Sequence, residues 1–213
     1  MPMKGWRGEL ERHNLASKGI KTKNMSLTKQ VDNCADGIEL DRVVIVDIDG
    51  TIFDSRVRWK KASEKATPPS PAFWEYFMSD DFIKYDTPIK NSAKVLNYIK
   101  ECGFKIIYLS GRRDEVKLDT EIAIEKYGFP EGEIILRKKG LKTEDFKIRE
   151  LRRLKSEYNV AMMIGDSDSD KYVAMQTQTH FVRVLQNDVW NKTDVENIKT
   201  KMAIGDEDNE GLV

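Results

Sequence analysis

Two aspartates one residue apart, Asp47 and Asp49, close the unbroken apolar run Val43-Val44-Ile45-Val46, and Gly50 and Thr51 follow at once. Unpaired carboxylates beside an apolar core are costly, so a buried strand ends in acids only where something at its tip uses them. Similar endings recur downstream. Ile106-Ile107-Tyr108-Leu109 stops at Ser110-Gly111-Arg112, and Val160 to Ile164 stops at Gly165-Asp166-Ser167-Asp168-Ser169-Asp170. Carboxylates and a hydroxyl at strand tips can attack an electrophile or move protons, and several acids together repel unless a cation neutralises them. The chain therefore reads as an enzyme rather than a scaffold.

These tips meet only if the fold brings them to one edge. Apolar runs predict strands at 43–47, 104–109, 134–136, 160–164 and 181–185, with Ser110-Gly111-Arg112 as a polar turn. Between them, helical spacing of Ile89, Ala93, Leu96 and Ile99 follows a start signal at Asp86-Thr87-Pro88 and ends at Gly103. Further helices are expected over 114–127, closing at Gly128, and over 143–158, and Asp168 reads as a helix cap. Strands alternating with helices predict the α/β class, a Rossmann-like parallel sheet with helices on both faces. Every strand's carboxyl end then emerges on one edge, where Asp47, Asp49, Ser110 and Asp166 converge.

With the motifs in place, the chain resembles the haloacid dehalogenase (HAD)-like hydrolase superfamily. The resemblance rests on Asp47-Ile48-Asp49-Gly50-Thr51, on Ser110 ending an apolar strand, on a lysine that it places at Lys147, and on Gly165-Asp166 through Asp170. It covers residues 43–185, with a minimal cap or none. It implies a phosphatase with Asp47 as nucleophile and Asp49 as acid and base. Mg²⁺ would be bound by Asp47, Asp49 through its carbonyl, Asp166 and Asp170, since hard oxygen ligands beside phosphate select that ion. Thr51, Ser110, Gly111, Arg112 and Lys147 would contact the substrate phosphate. Lys147 also has support from spacing: it shares a helical stripe with Leu151, Leu154 and Tyr158, and a lysine facing the core wants an anion. Lys138, Lys139 and Lys142 remain alternatives in a loop-like stretch.

Lys+Arg and Asp+Glu both total 36 in 213 residues, so no global field recruits a polyanion and any such attraction is local. Residues 1–40 read as a polar leader or arm whose protein partner is open. Residues 41–200 read as the phosphatase domain, and 201–213 as an acidic tail. Cys34 and Cys102 lack metal spacing, there is no signal-peptide pattern and no membrane-length apolar run, and a cytoplasmic protein is expected. A full cap domain does not fit either between the first two motifs or between the second and third. The insert at 54–85, rich in Trp59, Phe73, Trp74, Tyr76 and Phe77, predicts a small helical flap.

Trp74 to Phe77, Asp86-Thr87-Pro88-Ile89, Ser110-Gly111-Arg112-Arg113, Thr120, Leu136-Arg137 and Asp145-Phe146-Lys147 together resemble the phosphatase domain of polynucleotide kinase/phosphatase enzymes. That subgroup removes 3′-phosphates from nucleic-acid ends, although its usual fourth motif is Asp-Asp-Arg and Gly165-Asp166-Ser167 stands here. The expected substrate is accordingly a phosphorylated nucleic-acid or nucleotide end. A phosphatase for small metabolites or mononucleotides, and a non-catalytic adaptor on the same fold, are the competing readings. Arg137, Lys138, Lys139, Lys142, Arg149, Arg152 and Arg153 offer either a basic rim or an ordinary solvated helix face.

Overall fold

The computed structural model describes residues 40–207, and the leader expected at 1–40 lies almost wholly outside the described residues. Five parallel strands form the central sheet: β1 (Arg42–Val46), β4 (Lys105–Arg113), β5 (Glu133–Arg137), β6 (Asn159–Gly165) and β7 (Phe181–Arg183). Their order is β5-β4-β1-β6-β7, so the first strand is central and both neighbours are reached by helical crossovers. β1 is β-branched apart from its first residue and almost wholly buried, as a strand covered on both faces requires.

The pleat sorts the core into two faces. Val44 and Val46 pack with Ile106, Tyr108 and Met162 against α4 (Ser92–Glu101), α5 (Lys117–Lys126) and α8 (Lys192–Glu207). Val43 and Ile45 pack with Ile107, Leu109 and Met163 against α6 (Thr143–Glu157) and α7 (Asp168–Gln176). Continuing the alternation puts Asp47 on the second face, where α6 carries Lys147. Leu151 and Leu154 of α6 are fully buried there. Truncating Leu151 to Ala is expected to cost about 2–5 kcal/mol through lost burial and a cavity beneath the site.

The insert leaves and returns at one place, because β2 (Phe53–Asp54) pairs antiparallel with β3 (Thr87–Pro88). Between them lie three short helices: α1 (Arg56–Ser63), α2 (Pro71–Phe77) and α3 (Asp80–Ile83). Phe73 and Phe77 form their small core with Ala62.

The structure corrects several expected boundaries. Asp86-Thr87-Pro88 does not start a helix; Thr87 and Pro88 are committed to the strand pair, and α4 begins only after Asn91, which takes a positive φ of 71°. Ser110-Gly111-Arg112 is not a turn either. β4 runs on to Arg113 because β5 continues beside it, with a register shift between Ser110 and Arg113. The cap of α7 is Ser167, which exchanges hydrogen bonds with Asp170 in a capping box, and Asp168 is the first helical residue instead. α8, which had no sequence signal, runs into the segment read as an acidic tail. Among the described residues no helix is long and apolar enough to cross a membrane.

Candidate active site

Asp47 follows the tip of β1, is 5% exposed, and donates its backbone N–H to the Ile164 carbonyl at 2.9 Å. The ammonium of Lys147, itself 3% exposed, donates to Asp47 Oδ1 at 2.6 Å and to Asp170 Oδ1 at 2.7 Å. Asp170 Oδ2 accepts from the Ser167 hydroxyl at 2.6 Å, and Asp166 Oδ1 accepts from the Thr51 hydroxyl at 2.8 Å. One carboxylate oxygen from each of Asp47, Asp166 and Asp170 lies within 4.8 Å of the others.

Two glycines permit this crowding. A Cβ on Gly50, whose φ is +82°, would stand 2.6 Å from Asp166 Oδ2, and one on Gly165 would stand 2.7 Å from Asp170 Cβ. Two of the three carboxylates thus share one lysine, and the third is held by a hydroxyl. Burial, together with Asp170 and Asp166, pushes the Asp47 carboxyl up to about 8 against the pull of Lys147. Burial likewise raises Asp166. Asp170 is also buried but falls below the carboxylate range because Lys147 and Ser167 hold its anion. For Lys147, burial opposes the charge, but Asp47 and Asp170 outweigh it and hold the ammonium protonated.

Asp49 stands apart, in a second buried cluster. Its Oδ1 receives Arg112 Nη2 at 2.6 Å and faces Arg58 Nη2 at 2.5 Å. The same two guanidiniums reach Asp86, Arg112 Nη2 at 2.5 Å and Arg58 Nε at 3.1 Å, and Arg112 also donates to Thr120 at 3.2 Å. Arg58 lies over the Phe77 ring at 4.1 Å. Although burial opposes it, the pair of arginines holds the Asp49 carboxyl down at about 2. At Asp86 burial prevails over the same arginines and lifts the carboxyl to about 6.

A cleft of about 520 Å³ opens over the first cluster, floored by Asp47, Asp166 and Asp170, with Asp49, Ser110 and Lys147 at its walls. Gly111, Arg137 and Lys142 line one rim; Trp74, Phe77 and Gln186 line another, shared with a neighbouring cleft that contains Trp59. The structure therefore brings together Asp47, Asp49, Ser110, Gly111, Lys147, Asp166 and Asp170. Thr51 and Arg112 are fully buried and outside the cleft lining, their polar groups spent on Asp166, Asp49 and Asp86. The expected basic rim divides. Arg137 and Lys142 line the cleft, whereas Lys139 pairs with Glu75, and Arg149 and Arg153 pair with Glu150 and Glu157 on the outer face of α6.

Sequence reasoning missed Arg58, Asp86 and Trp190. The first has no local signal, and Asp86 stands in the sequence as a helix start and as part of the family resemblance, neither of which points to its pairing with Arg58 and Arg112. Trp190, buried, donates its indole N–H to the Thr51 carbonyl at 2.9 Å and so braces the loop after β1; only its size hinted at burial.

An α/β sheet with nucleophile-type acids at its carboxyl edge and a buried lysine beside them defines a class of phosphate-handling hydrolases. The chain matches the family described as HAD superfamily, subfamily IIIB (acid phosphatase), over residues 9–187, and it belongs to that family. It is a phosphatase of the HAD type. Solved structures agree on the fold. A chain of the Pnkp1/Rnl/Hen1 RNA repair complex is 22% identical with a TM-score of 0.54, covering 77% of this chain and 47% of its own. The class C acid phosphatase from Bacillus anthracis is 20% identical with a TM-score of 0.52, covering 79% and 81%. A predicted phosphatase from Clostridium acetobutylicum is 14% identical with a TM-score of 0.53, covering 78% and 98%. The chain thus spans about half the length of the RNA repair chain it matches. The comparison with curated proteins gave no match.

Proposed function

We propose that this phosphatase is a Mg²⁺-dependent phosphomonoesterase that works through an aspartyl-phosphate on Asp47 and acts on phosphorylated nucleic-acid ends. The observation that carries the reading is the imbalance at the cleft floor, three carboxylates against one ammonium, with Asp47 among them. The donor set fits a divalent cation: oxygen ligands only, within 4.8 Å of one another and short of positive charge. Asp47 and Asp166 would hold the ion, with Asp170 beside them and the Asp49 carbonyl that the family resemblance implies. When bound, Mg²⁺ would neutralise the acids and draw charge from the phosphoryl oxygens.

The chain's own residues supply the rest. Lys147 fixes Asp47 Oδ1, which leaves Oδ2 to attack phosphorus as the bond to the leaving oxygen breaks. Ser110, on the cleft wall, donates to a phosphoryl oxygen. Both guanidiniums converge on Asp49 Oδ1, so the second oxygen is the one on which a proton can travel, to the leaving group and then from the water that hydrolyses the acyl phosphate. Thr51 and Arg112 act indirectly, by holding Asp166 and Asp49.

The nucleic-acid reading is supported by the open cleft, by the aromatic wall of Trp59 and Trp74, and by the RNA repair complex among the structural matches. The organisation that goes with it is a phosphatase body over 41–200 carrying the insert at 54–85. Phosphate release from a 3′-phosphorylated oligonucleotide, a mononucleotide and a sugar phosphate, each with and without chelator, tests the proposal. Preference for the oligonucleotide and loss on chelation, restored by Mg²⁺, are expected. Preference for the sugar phosphate removes the nucleic-acid claim, and turnover indifferent to chelation removes the metal.

A further inference from the structure

Arg137 lines the cleft and is held by backbone carbonyls rather than by acids. Its Nε donates to the Gly111 carbonyl at 3.1 Å and its Nη1 to the Leu141 carbonyl at 2.6 Å. Among the described residues it forms no ion pair, while its neighbours Arg113 and Lys139 both pair with Glu75. Glu115 and Glu144 are close enough to favour its charge without touching it, and the Glu144 carboxylate accepts from the Ser169 hydroxyl at 2.9 Å. Burial and the neighbouring Arg113 count against the charge and prevail, lowering Arg137 from its usual range. The two carbonyls orient the guanidinium and leave its third nitrogen, Nη2, without a protein acceptor among the described residues. The exposed Lys142 lines the same rim, also without an acidic partner among the described residues.

A guanidinium oriented by neutral carbonyls and starved of an anion, one strand away from Ser110, is suited to bind one. The phosphate under attack lies over Asp47, so the anion at this rim is a different group. We infer that Arg137, assisted by Lys142, forms a subsite for a second phosphate on the substrate, adjacent to the monoester that is cleaved. This inference rests on the proposed phosphomonoesterase reading and narrows its substrate class to molecules bearing two neighbouring phosphates. A phosphodiester in a nucleic-acid strand and the second phosphate of a nucleoside bisphosphate present the same chemistry.

The test compares wild type, Arg137→Ala, Arg137→Lys and Lys142→Ala on four substrates. A 3′-phosphorylated dinucleotide and adenosine 3′,5′-bisphosphate carry the second phosphate; adenosine 3′-monophosphate and p-nitrophenyl phosphate lack it. Arg137→Ala should lower kcat/KM on the first two by about ten- to hundredfold more than on the last two, the loss of one charge-assisted contact, and mainly through KM. Arg137→Lys should recover part of that ratio and Lys142→Ala should lose less of it. A uniform loss on all four substrates would show that Arg137 only braces the Gly111 backbone, and overturns the subsite. No loss on any also overturns it. If the dinucleotide is not cleaved while the bisphosphate is, with the Arg137 dependence intact, the subsite stands and the nucleic-acid reading falls.

Discussion

Two buried charge clusters sit side by side in this molecule, and their arithmetic differs. Asp49, Asp86, Arg58 and Arg112 form a balanced set, two carboxylates against two guanidiniums, with the acids at about 2 and about 6. Fully ionised, Asp47, Asp166, Asp170 and Lys147 form a set two positive charges short of balance, and Asp47 is pushed up to about 8. A balanced buried set serves geometry, because removing one member strands its partners. An unbalanced set keeps its cost unless a cation or a substrate completes it, which is how active-site residues come to carry displaced pKa values. The balanced set therefore acts as a brace that holds Asp49 at the cleft wall, and the unbalanced set forms the cleft floor.

The largest effect should come from the unbalanced set. Asp47→Asn is expected to lower kcat by about 10⁴-fold or more, as removal of a nucleophile does, while the melting temperature holds or rises because one uncompensated acid has gone. A marked fall in stability would mean that the two clusters do not differ in the manner described.

The reverse is expected across the boundary. Arg58→Ala should destabilise the fold by about 3–5 kcal/mol in urea unfolding, since Asp49 and Asp86 are left with one guanidinium between them. A loss below 1 kcal/mol would show that the balanced set contributes little.

Next in size is the response to metal. At a hundredfold excess over Kd, Mg²⁺ should stabilise the wild type by about 2.7 kcal/mol in thermal unfolding. Asp166→Asn should abolish that gain and Asp86→Asn should keep it. An equal response from both variants would remove the assignment of the ion to the unbalanced set.

A surface pair sets the lower bound. Glu75 joins Arg113 and Lys139 but is half exposed, so Glu75→Gln should leave the melting temperature unchanged within error, and a clear fall would show that exposure is a poor guide here.

The sequence made one cluster far more legible than the other. Asp47, Asp166 and Asp170 stand in short motifs at or just after the ends of apolar strands, and Lys147, which the family resemblance picks out, gains support from the helical stripe it shares with Leu151 and Leu154. Arg58 and Asp86 are joined to Asp49 and Arg112 through the packing of three insert helices, which no periodicity encodes. Ser110 lines the cleft from within a strand rather than from the expected turn, because polar side chains end the apolar pattern while backbone pairing with β5 carries on. The helix read after Asp86 failed for a similar reason: Thr87 and Pro88 answer to Phe53 and Asp54, residues far away in sequence.

The balanced cluster also constrains how the enzyme can move. Arg58 belongs to the first helix of the insert, and it is tied at one end to Asp49 beside the cleft and at the other to Asp86, where the chain re-enters the body. Swinging the insert outward would pull Arg58 away from both carboxylates and leave them to Arg112 alone, so these buried ion pairs oppose opening of the insert.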